Sequence, residues 1–106
     1  MVTRKEIPDE LLLDVEAYCD VTWHDDATDD KYRSIIAGGM IYVNDKYGEE
    51  ADFEVDGYPR SLLFDYCRYA RDSALDVFEN NYQSMILAMQ TNKELKRYVE
   101  STKQTT

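Results

Sequence analysis

Leu11, Val15, Tyr18 and Cys19 recur at i, i+4, i+7 and i+8, the spacing that puts side chains on one face of an α-helix. Pro8 opens this segment where its missing N–H has no partner to lose, and Asp9 and Glu10 come next, where the helix dipole favours acids. The first helix is expected to reach about Asp20, with Leu12 and Leu13 widening the apolar surface and Asp14 and Glu16 pointing outward. Residues 21–28 break the period and read as a connector ordered by Trp23, whose Thr and Asp residues offer N-caps for the next helix. A second helix then begins at Asp29 and Asp30. Tyr32, Ile35, Ile36, Gly39, Met40, Val43 and Tyr47 form its stripe, and Gly48 stops it. Inside it, Gly38 and Gly39 each cost about 1 kcal/mol relative to Ala. That cost implies either close approach of a neighbouring helix over Gly39 or a kink.

Residues 49–58 are acidic, with Phe53 and Val55 in alternation and Gly57 as a turn residue, and read as a solvated surface loop. Pro59 opens a third helix. Leu63, Tyr66, Cys67, Ala70, Ala74, Val77 and Phe78 carry its stripe to about Asn80, making it the longest and central element, with Ala70 and Ala74 placed to face Gly39. Tyr82, Met85, Ile86 and Met89 fit another helix, although a strand is short enough to hold residues 84–89. Residues 93–98 read as a further helical turn or its continuation, and residues 101–106 as a frayed polar tail. The predicted fold class is all-α: one domain over residues 1–106, a bundle of three to four helices with a long acidic loop between helices 2 and 3. Its core spans about residues 8–90, and residues 1–7 and 100–106 are expected to be flexible.

Charge sharpens this picture. Residues 1–57 hold sixteen acidic against five basic side chains and residues 58–106 six against seven, so about −11 of charge sits in the first half and about +1 in the second. A sequence pI near 4.4 disfavours direct DNA binding, which needs clustered Lys and Arg to neutralise phosphate. At 106 residues the chain buries roughly two thirds of its unfolded surface without a disulfide or metal. No window resembles a membrane span or leader, so a soluble protein that stays where it is made is expected. Cys19 and Cys67, without CxxC or Cys/His spacing, read as reduced core thiols.

Catalytic signals are lacking, and an enzyme is not expected. His24, the single histidine, adjoins Asp25 and Asp26, but three consecutive residues converge poorly on one ion, so the aspartates read as helix caps and no metal or cofactor is expected. No Gly-x-Ser-x-Gly turn or phosphate loop is present. Nine tyrosines are many for this length. Tyr18, Tyr32, Tyr47 and Tyr66 fall on apolar stripes, whereas Tyr42, Tyr69 and Tyr98 do not and, with Arg68 and Arg71, suit an interface with another protein.

The run Val15-Glu16-Ala17-Tyr18-Cys19-Asp20-Val21, followed by Trp23-His24-Asp25-Asp26 and Asp29-Asp30, resembles the opening of the head-tail connector proteins of tailed bacteriophages. A second helix closed over residues 42–48 by Tyr and Gly, then Tyr58-Pro59 and the apolar run 62–78, continue the similar order over roughly residues 8–80. Cys19, the Gly38-Gly39 pair and the C-terminal segment depart from that pattern. The resemblance implies a structural virion protein at the head-tail junction, made in the bacterial host cytoplasm. It would form a ring of twelve copies beneath the portal protein, extend the DNA channel and receive a tail-side stopper or tail-completion protein. Asp25, Asp26, Glu49, Glu50, Asp52 and Glu54 would then present acidic surface past which DNA slides without specific binding. Arg68, Tyr69, Arg71, Lys96, Arg97 and Tyr98 would contact neighbouring subunits, and charge reversal at Arg68 and Arg71 together is expected to leave the fold intact and impair ring assembly. The alternative is a cytoplasmic adaptor that binds one protein partner through its acidic loop.

Overall fold

A computed structural model describes residues 7–104, and these are helical throughout apart from their connections. The elements are α1 (Asp9–Tyr18), α2 (Asp26–Tyr47), α3 (Tyr58–Arg71), a 3₁₀ turn (Leu75–Val77) and α4 (Phe78–Gln104). The all-α class expected from periodicity is what forms. Residues 1–6 and 105–106, part of the expected flexible ends, lie outside the described residues. Ile7 is buried, and residues 100–104 belong to α4.

Asp25 caps α2 by accepting the Thr28 N–H, so this helix starts three residues earlier than Asp29. The cap holds the Asp25 carboxyl below its ordinary range, chiefly through the hydrogen bonds from Thr28. Gly48 ends α2 in the left-handed region, as its place after the stripe predicts. Buried Tyr32, Ile36, Gly39, Met40 and Val43 lie on one face of α2, against Leu62, Leu63 and Cys67 of α3. Close approach over Gly39 is real, but Leu63 and Tyr66 make it, not Ala70 and Ala74.

The third helix does not reach Asn80. It stops at Arg71 because residues 72–74 fold into a reversing turn: Ala74 N–H bonds the Tyr69 carbonyl, Ser73 N–H bonds the Ala70 carbonyl, and Ser73 has φ 55°. The same pattern ends α1, where Val21 N–H bonds the Glu16 carbonyl, Asp20 N–H bonds the Ala17 carbonyl, and Asp20 has φ 61°. Neither stop carries the glycine that usually marks it. A left-handed non-glycine residue costs about 1–2 kcal/mol. Ser73→Gly is therefore expected to stabilise the protein by about 1 kcal/mol in urea denaturation, since the serine side chain is exposed.

The longest element is α4. Its buried Phe78, Ile86 and Met89 pack on α2 and α3, aided by half-buried Tyr82 and Met85. At the far end of α2, Gln90 donates to the Lys46 carbonyl and Lys93 to the Tyr47 carbonyl, satisfying two groups that the helix leaves unpaired. The connection from Gly48 to Gly57 is pinned rather than free: Phe53 is buried, its carbonyl accepts from Arg60, and Asn44 accepts the Ala51 N–H. Arg60 also pairs with Asp14 and lies over the Phe64 ring, tying α1 and α3 to this segment. No helix among the described residues is long and apolar enough to cross a membrane.

Candidate functional site

Past Lys93 every described side chain of α4 is exposed, so the helix projects from the packed helices and contributes to an elongated molecule of 55 × 28 × 22 Å. Leu87, Thr91, Leu95 and Tyr98 recur at i, i+4, i+8 and i+11 and share one face, with Val99 at its margin. That face lies opposite the inward row of half-buried Tyr82 and buried Ile86 and Met89. Leu87 is 62% exposed, Leu95 58% and Tyr98 72%. An exposed apolar row of this length marks an interaction surface more often than a solvated one. Tyr58, at the start of α3, joins Leu87, Ala88 and Leu95 in a shallow groove along it.

The expected interface residues divide. Tyr98 is open, and Arg97, with Lys93, pairs with Glu49. Lys96 is exposed on the same projecting segment. Tyr69 instead packs edge-on to Phe78 and Tyr82, and Arg68 sits over the Tyr18 and Tyr69 rings while pairing with Asp65. Arg71 donates to the Cys19 carbonyl and pairs with Asp72, closing the end of α3 onto the end of α1. Charge reversal at Arg68 and Arg71 would therefore also break these contacts within the chain. Tyr42, also expected at an interface, donates to Glu79 and rings Phe78 with Tyr66.

The expected acidic residues are not one patch. Asp25 and Asp26 stand at the start of α2 and Glu49, Glu50, Asp52 and Glu54 come after its end, a separation of about 33 Å for 22 residues. Asp25 also accepts the indole N–H of Trp23, which is itself 72% exposed and so orders the connector from its surface. Asp52 caps its own turn by accepting the Glu54 N–H.

Sequence reasoning missed a third group. Glu16, expected to point outward, is fully buried, and neither of its carboxylate oxygens has a hydrogen-bond partner among the described residues. The turn that ends α1 folds residues 21–25 back over it. His24 Nδ1 thereby lies 3.4 Å from Glu16 Oε1 and 3.9 Å from Asp29 Oδ1, and Asp29 Oδ1 is likewise buried and unbonded. Burial, then the Asp29 carboxyl beside it, raises the Glu16 pKa above the ordinary glutamate range. A signal exists in the sequence: Glu16 falls at i+4 from Leu12 and i−3 from Cys19, inside the apolar stripe. The thiols are deeply placed, with Cys67 pushed far up by burial and Cys19 raised for the same reason, so neither is a ready nucleophile.

Comparison with protein-family models, curated proteins and solved structures finds no match to this chain.

Proposed function

We propose that this protein is a head-tail connector of a tailed bacteriophage. In this reading it is a structural subunit that docks beneath the portal protein in a ring of twelve, joins capsid to tail and extends the DNA channel. The observation that carries the reading is α4, whose outward face offers Leu87, Leu95 and Tyr98 in one row and whose segment past Lys93 projects from the packed helices. An adaptor needs such a part: a rigid body to hold position and an arm to engage a neighbour. The order of helices and connectors that resembles those connectors supports the same reading. So does the excess of acid, which disfavours adhesion of passing DNA. Tail-side partners would be a stopper or tail-completion protein, at the virion's head-tail junction.

The test is negative-stain microscopy and co-sedimentation of the purified protein with portal rings. The wild-type chain is expected to add a ring of density under the portal. Leu95→Asp with Tyr98→Asp is expected to abolish co-sedimentation while leaving helicity by circular dichroism unchanged, because both side chains lie outside the packed body. Added density that survives both substitutions removes α4 from the interface. A wild-type chain that never sediments with portal, yet binds a single host protein as a monomer, replaces the connector reading with that of an adaptor.

A further inference from the structure

We propose that Glu16, His24 and Asp29 form a binding site for a divalent transition-metal ion of the Zn²⁺ class, clamping the end of α1 to the start of α2. One ligand atom from each of the three lies within 4.8 Å of the others. A tetrahedral ion with bonds near 2.0–2.1 Å has ligand-to-ligand edges of about 3.3 Å. The 3.4 Å from His24 Nδ1 to Glu16 Oε1 matches such an edge and is longer than a good N–H···O hydrogen bond. Two carboxylates and one imidazole are a donor set that Zn²⁺ and its neighbours accept, with water completing the sphere.

The second, independent observation is Glu16 itself. A fully buried carboxylate with no hydrogen bond among the described residues, and only the half-exposed His24 imidazole at 3.4 Å to offset its charge, is costly in a small domain, and a second carboxylate beside it adds like-charge repulsion. A divalent cation relieves both at once. The half-exposed imidazole gives the ion a route in from solvent without opening the core. Glu16 also accepts the Val21 N–H through its backbone carbonyl, so the same residue fixes the turn that delivers His24. The proposal is independent of the connector reading, since it concerns the helix junction at the opposite end of α2 from Lys93 and Glu49.

Tag-free protein, stripped of metal and titrated with ZnCl₂ by calorimetry, is expected to bind one ion per chain, and Co²⁺ is expected to give d–d absorption of a low-coordinate site. Saturating Zn²⁺, at about 100 times Kd, should raise Tm by about 10 °C. His24→Ala, Glu16→Gln and Asp29→Asn should each weaken binding by at least about 100-fold, the upper end of what loss of an outer partner costs. Asp26→Asn, an exposed carboxylate in the same turn, should leave it unchanged. Since His24 is exposed, its variant keeps the fold, which circular dichroism verifies. Absence of stoichiometric binding by the wild type overturns the proposal, as does His24→Ala binding as tightly as wild type. A Glu16–Asp29 pair that shares a proton and ignores every metal gives the first of these results.

Discussion

Phe78→Ala is expected to lower unfolding stability by about 3–5 kcal/mol, a large part of the roughly 5–15 kcal/mol that a domain of this size holds. Phe78 is 1% exposed at the first position of α4, where α2, α3 and α4 meet. Four tyrosine rings surround it: Tyr82 stacked at 4.6 Å, Tyr69 edge-on at 5.3 Å, and Tyr42 and Tyr66 at 5.7 Å. Each such aromatic pair adds about 0.5–1.5 kcal/mol beyond area burial. Truncation loses all four and opens a cavity between helices that cannot collapse without moving the start of α4. Urea denaturation followed by circular dichroism measures the loss, and Phe78→Leu should recover about half of it because the volume is nearly kept. A loss for Phe78→Ala below about 1.5 kcal/mol would show that the tyrosines close over the gap by themselves.

That cluster also shows how far the sequence is readable. Phe78 sits on a legible stripe, and helical periodicity rightly gives α1, α2 and α3 their apolar faces. Periodicity is blind to what interrupts it. The stripe runs smoothly from Leu63 to Phe78, yet the backbone reverses at residues 72–74, because a serine takes the left-handed position where a glycine would have announced the stop. One long predicted helix becomes two. The second, α4, takes in residues 93–98 and most of the expected tail. Tyr42 and Tyr69, off the stripes as counted along single helices, are drawn to Phe78 because three helices converge there, and convergence is a tertiary fact.

The candidate sites divide in the same manner. Tyr98 and Arg97 are legible as surface groups since nothing in their spacing demands burial, and they lie on the projecting arm. Arg68 and Arg71 look equally free in the sequence, but side chains of that length reach across to Tyr18 and to the Cys19 carbonyl, which no local pattern encodes. In the sequence His24 has only Asp25 and Asp26 beside it. Its neighbours in space, Glu16 and Asp29, arrive from two helices through the turn at Asp20, so the cluster is invisible to any window shorter than the motif itself.

The two adjacent glycines of α2 should respond in opposite directions. A Cβ at Gly38 would meet only the Tyr66 hydroxyl, at 3.4 Å, an ordinary contact. Gly38→Ala is therefore expected to stabilise by about 1 kcal/mol, the helix-propensity difference between the two residues. At Gly39 the added carbon would stand 2.7 Å from Leu63 Cδ1 and 2.8 Å from Tyr66 Cδ1. Leu63 is fully buried and the Tyr66 ring is held by Tyr42 and Phe78, so neither can step aside cheaply. Gly39→Ala should lose about 1 kcal/mol net, and Gly39→Leu about 3 kcal/mol, the upper end of what overpacking costs, by prising α2 from α3. The steric cause is separable from any backbone cause. Leu63→Val removes bulk at the contact, so the double variant Gly39→Ala with Leu63→Val should be more stable than the sum of the single losses by at least about 0.5 kcal/mol. Strict additivity would place the glycine requirement in the α2 backbone instead, as a kink, and would sever Gly39 from the packing of α3.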